Sequence, residues 1–185
     1  AEKGAAVLDK YNFKIPVWVN HGINLNYQKV GDYPSMHGDD PTHSCYHTDL
    51  LSEFGFEFIW TGKVTHIIGQ NGRRNFSILS KLLIQKILKK IKYQHVKDPI
   101  YDDDNNLIKP LLLRDGNKKW EFIRFINSWG NAGELDLYEF AGQIKVQNLK
   151  RLIKNQGFMV LYTHFNENLC ATIPLKLNEH LSYLK

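Results

Sequence analysis

The chain has 185 residues, of which 43% are hydrophobic and 23% charged, and its formal net charge is +5. This length and composition are typical of one folded domain, and they exclude disordered, low-complexity and solenoid proteins. The two cysteines, Cys45 and Cys170, are too few and too distant in sequence for a disulfide framework. No apolar run approaches the roughly 20 residues of a membrane span, so no integral membrane segment is expected. Both the cytoplasm and the cell envelope remain open as compartments.

The first third of the chain predicts a helix, a short strand and a long connection. Residues 2–10 carry good helix formers, and residues 14–20 form a short apolar run that ends at His21. A polar residue directly after a strand is typical of βα-barrels, in which functional groups collect on such loops. Residues 22–42 are rich in Gly, Asn, Asp and Pro, and a connection of this length is expected to lie over a site.

The middle of the chain predicts short elements followed by a longer helix. Residues 48–54 favour a helical turn or two, and residues 56–60 and 64–68 favour strands. Residues 78–91 have apolar residues at helical spacing with lysines between them, which predicts an amphipathic helix with a solvated lysine-rich face. This stretch is poor in the arginines and aromatic platforms of nucleic-acid-binding surfaces, so no nucleic-acid partner is expected. A helix lying on a membrane surface is a lesser alternative.

The last part of the chain predicts a hairpin, a second amphipathic helix, a strand and a final helix. Asp115-Gly116 lies between the apolar runs 107–113 and 120–126, which is a strong hairpin signal. Residues 149–155 favour a helix that ends at Gly157, residues 158–163 an apolar strand that ends at His164, and residues 174–184 a helix. The alternation predicts an α/β fold, a parallel sheet or barrel with one inserted β-hairpin.

Two imidazoles lie four residues apart, at His43 and His47. Imidazole is the commonest neutral ligand of divalent metals, and catalytic zinc usually has three protein ligands and one open position. The spacing lacks the helix-borne glutamate of zincins, so a chance pair at the surface or in the core remains an alternative. His21 and His164 follow predicted strands and would converge with this pair at one face of a barrel.

The segment His43-Ser44-x-x-His47-x-Asp49-Leu50 resembles the H-[ST]-x-x-H-x-D-L motif of polysaccharide deacetylases. This carbohydrate esterase superfamily includes chitin-oligosaccharide and peptidoglycan deacetylases. Residues 160–164 resemble its last motif, an apolar strand that ends in a catalytic histidine, here His164. Residues 122–125 resemble the strand whose arginine, here Arg124, orients the catalytic base. The resemblance implies a distorted (β/α) barrel and a divalent metal, zinc, held by His43 and His47.

One family motif is absent from the chain. The Thr-Phe-Asp-Asp segment at the end of the family's first strand supplies both the general base and a metal-ligating aspartate. Either this 185-residue domain begins downstream of that strand, or Asp40 of the pair Asp39-Asp40 takes over the role, or catalysis is lost. The register is also open, because His21 and His47 are an alternative metal pair, with His43 then a loop residue.

The resemblance implies hydrolysis of an acetyl group on an N-acetylated or O-acetylated carbohydrate. In the N-acetylated case the bond cleaved is a carbon–nitrogen bond other than a peptide bond. His164 would then donate a proton to the leaving group. Aromatic faces that could bind a sugar ring are Trp129, Tyr162 and Trp60, of which Trp60 and Tyr162 fit core packing better. The alternatives are a carbohydrate-binding pseudoenzyme without the base and a metal-dependent phosphoesterase.

Overall fold

The computed structural model has a mixed α/β architecture and describes residues 2–20, 26–31, 35–73, 75–92, 104–126, 137–163 and 175–183. The helices are α1 (Glu2–Lys10), α2 (Thr48–Glu53), α3 (Phe76–Lys92), α4 (Leu137–Gln143), α5 (Val146–Asn155) and α6 (Leu175–Ser182). The strands are β1 (Val17–Val19), β2 (Phe58–Trp60), β3 (Val64–Thr65), β4 (Ile108–Leu112), β5 (Lys118–Phe122) and β6 (Arg124–Phe125). The chain divides into two compact units, the first of which ends at Lys63 and also includes residues 108–122.

The first unit is built around a four-stranded sheet with the strand order β1-β2-β5-β4. Strand β1 pairs with β2 in parallel, and β2 pairs with β5 in parallel. Strands β4 and β5 pair antiparallel around a turn in which Gly116 has a φ of 86°. That backbone conformation suits glycine, which explains why Asp115-Gly116 is a reliable turn signal. The predicted hairpin is therefore confirmed.

An apolar cluster beneath this sheet joins the strands to helix α2 and to the long connection after β1. Its buried members are Val30, Leu51, Phe56, Ile59 and Leu113. Each of these residues comes from a different segment of the first unit, so burying them holds the segments together. The position of the connection is thereby tied to the sheet through Val30.

The second unit contains the two-stranded parallel pair β3/β6 and helices α3 to α6. An isolated antiparallel bridge joins Gln70 to Phe158, and the amide of Phe125 donates to the carbonyl of Val160 at 2.9 Å. In place of the predicted strand 158–163, the structure has one β-bridge at Phe158 and this hydrogen bond at Val160. Helices α4, α5 and α6 share a small core, whose buried residues are Ala141, Ile144, Leu149 and Leu177.

Helix α3 confirms the predicted helix, but its faces differ from the expected pattern. Ile78 and Gln85 are buried, whereas the apolar side chains of Leu83 and Ile91 are 59% and 69% exposed. Lys86 is exposed as predicted, but Lys81 is only partly exposed. The helix therefore turns one lysine and one glutamine toward the protein and leaves part of its apolar stripe in solvent.

Across the described ranges, none of the helices combines the length and the apolar character needed to cross a lipid bilayer. The closed barrel stays a prediction.

Candidate functional site

The long connection after β1 is attached to the end of that strand by a side-chain amide. Asn20 donates from Nδ2 to the carbonyl of Val30 at 2.7 Å and accepts the amide of Val30 at 3.1 Å. Both backbone groups of Val30 are thus satisfied at a buried position, which removes the cost of burying them unpaired. These hydrogen bonds fix the connection at Val30 beside the end of β1.

Asp39 joins this segment to the hairpin. Its carboxylate is 1% exposed and accepts hydrogen bonds from the backbone amide of Arg114 at 3.1 Å and from its Nε, also at 3.1 Å. Nη2 of the same guanidinium lies 2.5 Å from Oδ1. A buried carboxylate requires such a partner. All of these contacts are structural, so Asp39 is an anchor between the connection and the hairpin.

Asp40, the predicted catalytic base, accepts hydrogen bonds from neighbouring groups. The hydroxyl and the backbone amide of Thr42 donate to Oδ1 at 2.7 and 3.0 Å, and Nδ1 of His37 lies 3.3 Å from Oδ2. The two hydrogen bonds from Thr42 lower the pKa of Asp40 to about 2. A carboxylate with this pKa is a weak proton acceptor near neutral pH. The role of Asp40 as general base stays a prediction. The hydrogen bonds from Thr42 do not favour it.

The ring of His43 is held by a backbone amide and by a second imidazole. The amide of Cys45 donates to Nδ1 of His43 at 3.1 Å, and the ring stacks on that of His37 with centroids 4.0 Å apart. Because Nδ1 accepts a hydrogen bond, the proton of the neutral ring is on Nε2. This tautomer offers no lone pair to a metal, so ligation by His43 would require the hydrogen bond to break.

His47 has the opposite tautomer. Its ring is 4% exposed and lies against Trp18, with ring centroids 5.0 Å apart. Nδ1 lies 2.9 Å from the carbonyl oxygen of Cys45, and because that oxygen can only accept, Nδ1 carries the proton. Nε2 therefore has a lone pair, and it is buried with no hydrogen-bond partner among the described residues.

Gly38 makes room for the ring of His47. A Cβ atom at position 38 would lie 2.6 Å from Cε1 of His47 and 2.5 Å from the carbonyl oxygen of Gln28. The amide of His47 also donates to the carbonyl of Gly38 at 2.9 Å. The absence of a side chain at Gly38 thus permits the backbone to approach the imidazole closely.

His37 is a candidate site residue that the sequence did not single out. Its Nδ1 faces the carboxylate of Asp40, so Nδ1 carries the proton and Nε2 has the lone pair. Metal-binding histidines commonly have such a carboxylate behind them. The signal in the sequence was His37-Gly38-Asp39-Asp40, a histidine beside paired carboxylates in a connection expected to lie over a site.

A cavity of about 320 Å³ opens beside His47, and its lining includes Trp18, Gln28, Ser44 and Tyr46. The Tyr46 hydroxyl lies 3.3 Å from Oδ2 of Asp115. Burial raises the pKa of this phenol, so it is neutral near pH 7. The cavity therefore presents hydroxyl and amide groups together with an aromatic face.

Asp115 connects the hairpin turn to the start of α2. Thr48 donates from its hydroxyl to Oδ2 of Asp115 at 2.5 Å, and Asn117 donates from its backbone amide to Oδ1 at 2.9 Å. Burial alone would raise the pKa of Asp115, but these hydrogen bonds outweigh it and lower the pKa. The segment that carries His47 is thereby fixed at its carboxyl end.

The other predicted residues that the structure describes have internal partners. Arg124 is 2% exposed, its guanidinium lies 4.7 Å from the ring centroid of Tyr162, and burial lowers its pKa. Trp60 is half-buried and donates from Nε1 to the carbonyl of Lys63 at 2.7 Å. These contacts fit core packing of Trp60 and Tyr162, and the orienting role of Arg124 stays a prediction.

Three predicted residues, His21, Trp129 and His164, lie outside the described residues. Within the described ranges, no group of three or more His, Cys, Asp or Glu side chains is arranged to hold a metal ion. The choice between His21 and His43 as the partner of His47 therefore stays a prediction.

Comparison of this chain with known protein families, with curated proteins and with solved structures finds no match. The resemblance to polysaccharide deacetylases accordingly rests on the motif residues themselves.

Proposed function

We propose that the protein is a metal-dependent hydrolase that removes acetyl groups from an N-acetylated or O-acetylated carbohydrate, with His47 as one metal ligand. The observation that carries this proposal is the buried, unpartnered Nε2 of His47. A buried polar atom without a partner costs about 1–3 kcal/mol. A bound cation at Nε2 would offset that cost, so the residue fits a metal.

The hydrogen bond from Nδ1 of His47 to the Cys45 carbonyl supports the same proposal. It fixes both the tautomer and the orientation of the ring, which is the usual arrangement behind a metal-binding histidine. When bound, a divalent metal such as zinc polarises an acetyl carbonyl and lowers the pKa of bound water. The chain's own contribution is to hold the imidazole in place before any ligand arrives.

The cavity beside His47 supports a carbohydrate substrate. Gln28, Ser44 and Tyr46 offer hydrogen-bonding groups to sugar hydroxyls, and Trp18 offers an aromatic face. Sugar-binding sites combine these two kinds of group, because a pyranose has both an apolar face and a rim of hydroxyls. His21 and His164 are proposed to complete the metal site and to donate the proton to the leaving group.

The decisive experiment measures zinc binding by calorimetry in the wild type, His47→Gln and His180→Gln. The control is closely matched, because Nδ1 of His180 also lies 2.9 Å from a backbone carbonyl, that of Ala141, and His180 does not line this cavity. We expect His47→Gln to weaken zinc binding at least tenfold and His180→Gln to leave it unchanged. Equal affinity in the wild type and His47→Gln would refute the metal site.

Acetate release from N-acetylglucosamine oligomers, with and without zinc, tests the reaction itself. A second candidate, a carbohydrate-binding pseudoenzyme, is favoured by the low basicity of Asp40. Oligomer binding without acetate release from the zinc-loaded protein would select that candidate. Release of phosphate from p-nitrophenyl phosphate, with no release of acetate, would instead select the phosphoesterase.

A further inference from the structure

The second unit contains a separate cavity of about 210 Å³ that no part of the proposed hydrolase mechanism uses. Helix α3 contributes Lys81 and Gln85 to its lining, and helix α5 contributes Arg151. Ile84, Phe125 and Ile126 supply apolar walls. The cavity thus combines basic groups from two helices with an apolar surface.

The basic groups of this cavity have no acidic partner among the residues that the structure describes. Within the described ranges, neither Lys81 nor Arg151 forms an ion pair with a carboxylate. Burial lowers the pKa of Lys81, and the charge of Arg151 lowers it further. The cationic groups of Lys81, which is partly buried, and Arg151, which is exposed, repel each other, and this repulsion is relieved when an anion binds between them.

Gln85 is the independent observation that points to a ligand. Only 6% of Gln85 is exposed, and its side chain lines the cavity. Neither Nε2 nor Oε1 has a hydrogen-bond partner among the described residues. Nε2 can donate to an anionic oxygen and Oε1 can accept from a hydroxyl, so the amide is suited to a ligand that carries both groups.

His66 adds a neutral group to the same lining. Its Nδ1 donates to the carbonyl of Ile126 at 3.0 Å. Burial lowers the pKa of His66, and the nearby charge of Lys81 lowers it further, so the ring is neutral near pH 7. The positive charge of the cavity near neutral pH therefore comes from Lys81 and Arg151.

We propose that this cavity binds the phosphate monoester of a small hydroxylated molecule, with Lys81 and Arg151 contacting the phosphate and Gln85 contacting both the phosphate and a hydroxyl. Two cations match the charge of a dianionic phosphate monoester better than that of a monovalent carboxylate. A volume of about 210 Å³ holds several water molecules, so it accommodates more than a phosphate group alone. The proposal is independent of His47 and of the hydrolase.

The test is calorimetric titration of the full chain with glucose 6-phosphate, inorganic phosphate and glucose. We expect glucose 6-phosphate to bind most tightly and glucose not to bind. Lys81→Met and Arg151→Met should each weaken glucose 6-phosphate binding by tenfold or more, the usual loss for a charge-assisted hydrogen bond. Lys86→Met and Lys154→Met remove exposed lysines from the same helices and should leave the affinity within about twofold.

Gln85→Glu keeps the test decisive if a methionine variant fails to fold. The new carboxylate would pair with the two cations, so we expect the thermal midpoint to hold or rise while phosphate binding is lost. The proposal is overturned if neither phosphate compound binds at millimolar concentration, or if Gln85→Glu binds like the wild type. It is also overturned if Lys86→Met weakens binding as much as Lys81→Met, because the lysine-rich helix would then attract polyanions without a specific site.

Discussion

At the scale of single residues, His43 and His47 show how identical side chains in one motif acquire different chemistry. The same residue, Cys45, donates its amide to Nδ1 of His43 and accepts from Nδ1 of His47 with its carbonyl. The two rings therefore carry their protons on opposite nitrogens. Only His47 presents a free lone pair at a buried nitrogen, which makes it the stronger metal candidate of the two.

Gly38 provides a test of the space around His47. In Gly38→Ala the new Cβ would lie 2.5 Å from the carbonyl oxygen of Gln28, a backbone atom that cannot rotate away. We expect a loss of about 1–3 kcal/mol in the free energy of unfolding, the usual cost of overpacking. Zinc affinity should also fall, because the ring of His47 lies 2.6 Å from the same Cβ.

Gly4→Ala is the matched control, because a Cβ at that position in α1 meets nothing within 4 Å. This variant should hold or slightly raise the free energy of unfolding in urea denaturation, since alanine favours helix. If Gly38→Ala were as stable as the wild type and bound zinc equally well, the close approach at His47 would not exist.

The lowered pKa of Asp40 predicts that the stability of the protein depends on pH. Its pKa is lowered from 3.8 to about 2 in the folded protein, chiefly by the two hydrogen bonds from Thr42. A lowered folded-state pKa gives stability that is present above the unfolded pKa and lost as the pH falls toward the folded one. The contribution of Asp40 should therefore disappear between about pH 4 and pH 2.

Thermal midpoints measured across this acid range test the prediction. Asp40→Asn should lower the midpoint near neutral pH and flatten its decline in acid. Asp9→Asn, which removes the same charge from an exposed position in α1, is the control. Parallel midpoint curves for Asp40→Asn and the wild type would contradict the assignment.

At the scale of elements, the hairpin β4/β5 positions the candidate site through its turn. Arg114 pairs with the buried Asp39 of the long connection, and Asp115 accepts from Thr48 and Tyr46. The turn thus contacts both ends of the segment that carries His43 and His47. A turn that the local sequence predicts therefore holds a loop that is distant in sequence.

The ion pair between Arg114 and Asp39 predicts a stability loss. Arg114→Met would leave a carboxylate that is 1% exposed without its ion-pair partner. Breaking a buried pair costs about 3–5 kcal/mol, and because the Arg114 side chain is 33% exposed we expect a value near the lower end. Urea denaturation provides the measurement.

The double variant Asp39→Asn/Arg114→Met is the control for this prediction. It should recover part of the loss, because no unpaired charge then remains buried. Single and double variants with equal stability would show instead that packing of the arginine stem, and not the charge, accounts for the loss.

At the scale of the whole molecule, two units with separate cores contain two unrelated groups of candidate residues. The first unit has His37, His47 and a cavity lined with sugar-compatible groups, and the second has the basic cavity with Lys81 and Arg151. Two of the basic groups behind the formal charge of +5, Lys81 and Arg151, are proposed to bind a phosphate. Lys86 and Lys90 of α3 are exposed to solvent.

Much of the local structure was predictable from the sequence, because it depends on neighbours along the chain. The Asp115-Gly116 turn, helix α3 and helix α5 follow from backbone preference and apolar period. Helix α4 was missed. The spacing and motif that single out His47 as a metal ligand are also local, and that role stays a prediction.

The sequence by itself thus determined the element types, the hairpin and the identity of His47 as a candidate ligand. Only the tertiary structure decided which nitrogen of each imidazole is available, that hydrogen bonds from Thr42 lower the pKa of Asp40, and that Lys81 and Gln85 of α3 face a cavity. The physical reason is that these properties depend on hydrogen bonds, burial and charges in three dimensions. Thr48 and Asp115, for example, are 67 residues apart, and no local pattern encodes their contact.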